Sequence, residues 1–244
     1  RVCWCLCFVE VMRCGCEPTF TAKLGVMVRL HGSDGERLGK NRENVAGAAM
    51  MALKHVRTRN TTLVTLAAPL HRHFDLDFEI VDTKSEPPIG VEHALRWNFQ
   101  GDIHTVIGAA RSAVSGPVAL ISGFTSTPVL SYASTSSALS DKSTYPLFSR
   151  VIPSDDLPAF ALISICKDVN WLNIALLFVQ DTYGQGYAQA VQSHAMREGV
   201  RVVLATAFFS EDSESIEDAV SAVAETGARI ILCVSFAVDI PEIA

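Results

Sequence analysis

The chain lacks the marks of most common enzyme classes. Its 244 residues hold no G-x-S-x-G nucleophile elbow, no phosphate-cradling P-loop and no G-x-G-x-x-G, and Gly184-Gln185-Gly186 supplies only part of the last. Charge is sparse, 19% of residues with a net of −6, and no basic stripe is present to follow a phosphate backbone, so nucleic acid is not an expected partner. No apolar run reaches the roughly 18 residues that a bilayer-crossing helix needs, so any membrane attachment is expected from segments outside this chain. Cysteine is scarce beyond one end of the chain. Cys3, Cys5, Cys7, Cys14 and Cys16 crowd the start, where their C-x-C-x-C…C-x-C spacing has no histidine nearby and matches no zinc pattern. The other two, Cys166 and Cys233, sit in apolar stretches and are expected to be core thiols. The histidines are scattered. His71 and His73 form H-x-H close to Asp75 and Asp77, but no further ligand stands at a convincing spacing, and a solvated loop is the simpler reading. No metal and no cofactor are expected.

What is present is a globular composition, 49% hydrophobic with a mean hydropathy of +0.26 and a pI near 5.6. The length suits one large domain or two smaller lobes. The opening VCWCLCFVEVM, flanked by Arg1 and Arg13, reads as the tail of a secretory signal peptide or as stray leader sequence over residues 1–20. One sequon, Asn60-Thr61-Thr62, is a candidate N-glycosylation site for a secreted protein.

Hydrophobic periodicity gives the architecture. Lys23–Leu30 reads as a buried strand, Asn41–Arg57 as a helix, and Asp77–Val81 as a second strand. Pro87-Pro88 break the chain before a helix around Gly90–Trp97, and Thr105–Ile107 is a third strand ending at Gly108. A helix over Val118–Ser122, a strand over Val129–Tyr132 and an extended Leu147–Ile152 follow, with a hinge expected around residues 151–156. The remainder alternates helix and strand: Leu157–Asn170, Trp171–Val179, Tyr187–Gly199, Val200–Phe208, Ser213–Thr226 and Arg229–Phe236. Strands alternating with helices imply parallel sheets with crossovers. Periodicity alone permits either two α/β lobes or a single doubly wound domain.

The stretch from Leu130 to Asp156 is more specific. It leaves an apolar strand, passes through a Ser/Thr-rich loop and stops at Pro153, and hydroxyls at the carboxyl end of a parallel strand form a polar cradle where open α/β sheets bind ligands. Ordinary capping and turn formation accounts for the same composition. The wording YASTSSALSDKSTYPLFSRVIPSDD resembles the ligand-binding region shared by class C G-protein-coupled receptors (metabotropic glutamate and calcium-sensing types), natriuretic-peptide receptors and bacterial amino-acid-binding proteins, the class C ectodomains above all. The resemblance runs from about Lys23 to the end and is strongest from Val106 to Gly186. It implies a periplasmic-binding-protein type I-like α/β fold of two lobes, residues 21–153 and 154–244, with the second lobe truncated.

The same resemblance implies a site for an amino acid. Gly108-Ala109-Ala110-Arg111-Ser112-Ala113-Val114-Ser115 is similar to a family segment, G-P-G-x-S-S-V, that holds the ligand carboxylate. Ser112 matches the first serine, while Ala113 replaces the second and Arg111 is an unusual neighbour. In Ala133-Ser134-Thr135 the threonine matches, whereas Ala133 offers only its main chain. Asp155 matches the residue near the ligand ammonium, and Tyr183, in Asp181-Thr182-Tyr183-Gly184-Gln185-Gly186, matches an aromatic lid on a turn. Neither Lys40 nor Arg42 matches a first-lobe basic residue that selects an acidic side chain. Residue by residue, helix capping or turn packing is the competing explanation. The function implied is the extracellular ligand-binding domain of a cell-surface receptor, non-enzymatic, closing on an amino-acid-like ligand and pairing as a homodimer through the first lobe. Alternatives are a soluble amino-acid-binding transport protein, the sensor domain of a receptor cyclase, or a gene fragment.

Overall fold

The computed structural model describes residues 20–31, 43–58, 60–62 and 74–243. The cysteines of the leader, the loop over residues 32–35, Lys40, Arg42 and the His71/His73 pair lie outside the described residues. Two parallel sheets organise the rest. The first has strands β1 (Phe20–Val28), β2 (Phe74–Asp82), β3 (Thr105–Ile107), β4 (Val129–Ser131) and β5 (Phe148–Arg150), in the order β2-β1-β3-β4-β5. The second has β6 (Asn173–Val179), β7 (Arg201–Phe208) and β8 (Ile231–Val234), in the order β7-β6-β8. Helices α1 (Glu43–Thr58), α2 (Pro87–Gln100) and α3 (Ser112–Phe124) join the strands of the first sheet, and a 3-10 turn, Ser137–Ser140, precedes β5. Helices α4 (Asp156–Asp168), α5 (Thr182–Glu198) and α6 (Ser213–Glu225) serve the second sheet, and a helical turn, α7 (Ile240–Ile243), ends the described chain. Every ladder is parallel, as the βα rhythm requires.

The first core packs α2 and α3 on the sheet. Met27, Trp97, Val106, Val114 and Val118 are almost fully buried and join one cluster with Leu139 and Phe148. Trp97 fits because Gly25 on β1 has no side chain: a Cβ there would lie 2.4 Å from the indole ring. Its indole N–H donates to Glu79 at 3.1 Å, so the polar edge is satisfied as the ring is buried. In the second sheet β6 lies between its neighbours and is covered on both faces. Ile174 and Leu176 face one cluster, Leu177 and Val179 the other, which explains the unbroken apolar run NIALLFV.

Several boundaries differ from the sequence-based expectation. Pro87 and Pro88 do not precede α2 but open it, where a missing N–H costs nothing. α3 begins at Ser112, not at Val118, and carries Pro117 inside it. Val114, Val118 and Ser122 recur at helical spacing on its buried side, and that burial outweighs the bond the proline interrupts. α5 begins at Thr182, not at Tyr187, because Asp181 caps it by accepting from the Gly184 N–H at 2.9 Å. Cys166 is buried as expected, but Cys233 is exposed: β8 is an edge of its sheet and its burial alternates.

Candidate functional site

The carboxyl ends of β3 and β4 supply one wall of a cavity. Gly108 turns the chain out of β3 with φ of +119°, and a Cβ at this position would meet the Met27 carbonyl at 2.5 Å, so both conformation and space call for glycine. The turn is held by hydroxyls. Ser115 on α3 bonds the Ala109 N–H (3.1 Å), the Ala109 carbonyl (3.3 Å) and the Ser134 hydroxyl (2.7 Å). Ser131 donates to the same carbonyl at 2.8 Å and accepts from the Ser134 N–H at 2.9 Å. Ser115, Ser131 and Ser134 are all buried, so this network fixes the loops after both strands against one another. The Ser112 hydroxyl accepts from the Ser136 N–H at 3.2 Å, tying the start of α3 to the second loop; it does not cap the helix.

The second wall is aromatic. Tyr183, in the first turn of α5, lies with its ring 5.6 Å from Phe236 and 6.2 Å from Tyr187. Phe236 follows β8, and its N–H is bound by Asp239, whose buried carboxylate also accepts from Ser210 and from the Glu211 N–H. Burial, with the Asp155 charge second, pushes the Tyr183 hydroxyl up to about 12. The two walls touch directly. Ser136 donates to the Thr182 carbonyl at 2.8 Å and Ser137 to that of Gly186 at 3.0 Å. A Cβ on Gly186 would approach Ser136 Oγ to 2.2 Å, so glycine sets how closely α5 meets the 3-10 turn.

Between the walls is a cavity of about 150 Å³. Ala110, Arg111, Ser112, Ala133 and Thr135 line it from the first-sheet side; Tyr183, Ser235 and Phe236 line it from the second. Asp155 stands behind Thr135. Its N–H donates to the Thr135 carbonyl at 2.9 Å, and its Oδ2 is buried without a partner. Burial raises the Asp155 carboxyl above its ordinary value, against the neighbouring Thr135 hydroxyl and the Arg150 charge, which lower it. A larger depression of about 440 Å³ lies beside α6 and includes Asp212, Glu214 and Asp218. It is away from the meeting of the two sheets, and we place the site in the smaller cavity, where the strand ends converge. Among the described residues no group of three or more histidine, cysteine or acidic side chains could hold a metal ion, and no helix is long and apolar enough to cross a membrane.

Residues 44–243 match the family model described as the receptor family ligand binding region, which is more than half of the chain. The chain belongs to this family. It is 31% identical over 140 residues to G-protein coupled receptor family C group 6 member A of Carassius auratus, covering 55% of this chain and 16% of the relative. It is 31% identical over 120 residues to a metabotropic glutamate receptor of Drosophila melanogaster, 49% of this chain and 12% of that protein. With metabotropic glutamate receptor 4 of Rattus norvegicus the identity is 39% over 94 residues, 38% of this chain and 10% of the receptor. The chain thus spans only a small part of these three relatives, each of them a receptor by name.

Within this ligand-binding region, Ser112, Ala133, Thr135 and Tyr183 meet at one cavity although 71 positions separate the first from the last. Asp155 is one layer back, and Ala113 is half-buried outside the lining. Ala133 donates its N–H to Ser131 Oγ at 3.3 Å, so that donor is already engaged. Asn60 is exposed, and its side chain accepts from the Thr62 N–H and hydroxyl. Sequence reasoning missed Phe236 and Ser235 as lining residues; their signal was a position just past an apolar strand, the same rule that had marked the loop after β4. It also missed Ser115, whose role depends on Ser134 meeting it across two elements.

Proposed function

We propose that this chain forms the extracellular ligand-binding region of a cell-surface receptor, takes an amino acid or similarly small polar ligand between two lobes, residues 21–153 and 154–244, and signals by closing on it. The observation that supports this reading most is the convergence of Ser112, Thr135 and Tyr183, with Asp155 behind them, on a cavity between the carboxyl ends of two parallel sheets. An α-amino acid carries a carboxylate and an ammonium close together, and the cavity offers complements to both. For the carboxylate there is the start of α3. The Val114 and Ser115 N–H groups bond the Arg111 carbonyl, while those of Ser112 and Ala113 have no partner within the helix, and the helix dipole favours negative charge there. The Ser112 hydroxyl accepts a bond and keeps its own proton to donate. For the ammonium there is the face of Tyr183, with the negative charge of Asp155 one layer behind the lining.

A ligand bound to both walls favours the closed arrangement by differential affinity, and Ser136, Ser137 and Arg111 provide contacts that opening would break. Such a cycle transmits a signal without turnover. The receptor names of the relatives favour this reading over a transport protein. Pairing of two copies through the first lobe, and membrane attachment by segments outside this chain, belong to the same reading. Calorimetric titration of the purified chain with a panel of free amino acids tests it. We expect saturable binding of at least one member, weakened about tenfold or more by Thr135→Ala, which removes a hydroxyl-bearing side chain from the cavity lining. A panel with no saturable binder would overturn it.

A further inference from the structure

Arg111 lines this cavity and spans it from wall to wall. It is the N-cap residue of α3 with extended backbone, φ −96° and ψ 139°, a position any residue adopts, and its side chain makes no capping bond. Instead it crosses to the opposite wall. Its Nη2 donates to Asp181 Oδ2 at 3.1 Å, and its guanidinium carbon lies 4.1 Å from the centre of the Phe236 ring. Both partners are held in place by other bonds: Asp181 caps α5 and Phe236 is anchored through Asp239. The arginine is therefore clamped in the cavity wall, its Nε buried and unpartnered. The space left, about 150 Å³, is about half the lower end of the range for drug-sized ligands. The guanidinium charge is already matched by Asp181, so a second carboxylate on a ligand would have to displace an anchored one.

Resting on the reading of the cleft as an amino-acid site, we propose that Arg111 is its specificity-determining residue, restricting the ligand to a compact amino acid with a small uncharged side chain, such as glycine, alanine or serine, and rejecting long and acidic ones. The arginine fills the room a longer side chain needs, and its pairing with Asp181 removes the incentive for an acidic one. One added methylene in a confined pocket changes affinity about tenfold or more, so the discrimination should be large.

The test is a calorimetric titration of the wild-type chain, Arg111→Ala and Arg111→Gln with glycine, alanine, serine, leucine and glutamate, each variant's cooperative unfolding transition being recorded first. Wild type should bind glycine, alanine or serine at least tenfold more tightly than leucine and glutamate. Arg111→Ala, which vacates the space, should narrow or reverse that ratio for leucine. Arg111→Gln, which shortens the side chain and removes the charge, should narrow that ratio part-way, and decides the matter if the alanine variant does not fold. Wild-type binding of leucine or glutamate as tightly as glycine overturns the inference and leaves the amino-acid site standing. An unchanged ratio in both variants does the same. No binding of any of the five to any of the three proteins overturns both.

Discussion

On the first-sheet side of the cleft, Ser115, Ser131 and Ser134 bind one another and both polar groups of Ala109, and their hydroxyls are buried. On the second-sheet side the surface is made by the rings of Tyr183 and Phe236, backed by Tyr187, and is placed by close backbone approaches at Gly184 and Gly186. The first wall is organised by hydrogen bonds that lock its loops before anything binds; the second is shaped by sterics and apolar contact. A polar wall so satisfied presents fixed donors and dipoles at little reorganisation cost, whereas the aromatic wall presents ring faces whose placement is set by packing.

The contrast predicts how each wall breaks. The largest effect should come from Gly184→Ala. A Cβ there would lie 1.9 Å from the Val179 carbonyl oxygen, a backbone atom that cannot step aside, and the loss of stability should reach about 3 kcal/mol or more in urea unfolding. On the other wall, Ser115→Ala leaves the buried Ala109 N–H without its partner and should cost about 1–3 kcal/mol, with Ser134 freed to move. A loss much below that would mean the serine network relaxes more readily than its geometry suggests. Asp181→Ala removes both the cap of α5 and the partner of Arg111. We expect a loss of about 1–2 kcal/mol, and a double-mutant cycle with Arg111→Ala should show coupling between the walls.

The smallest effect concerns pH. Burial raises the folded-state carboxyl of Asp155 above its ordinary value near 3.8, so the folded chain holds that proton more tightly than the unfolded one. Its favourable contribution is present below the unfolded value and is lost as pH rises through the folded one. Unfolding midpoints of wild type and Asp155→Asn should therefore differ in slope just above pH 3.8, the asparagine variant lacking the decline that Asp155 gives the wild type over this window. Parallel profiles would mean that the Thr135 and Arg150 interactions offset the burial.

Much of this could be read from the chain itself. The strand over Thr105–Ile107 was predicted at its observed limits, and the alternation that gives parallel sheets is carried by apolar runs such as NIALLFV, whose two-sided burial leaves no polar face to misread. The starts of α3 and α5 were misread for a common reason. Gly116-Pro117 and Gly184-x-Gly186 are local signals for a turn, but burial of Val114 and Val118 in one case and the Asp181 cap in the other outweigh them. Cys233 was misplaced because an apolar neighbourhood does not reveal that a strand lies at a sheet edge.

The α/β rhythm, the family likeness and the kinds of group available at the strand ends are legible in the chain alone, because periodicity and short motifs are local properties. Which of those groups meet depends on how the distant segments pack. Arg111 reaches Asp181 and Phe236, Ser115 reaches Ser134, and Gly186 admits Ser136, through crossovers and contacts between distant segments whose packing has no trace in the spacing of either partner. The size of the cavity follows from that packing too, since it is the space left when two sheets with different walls come to rest against each other.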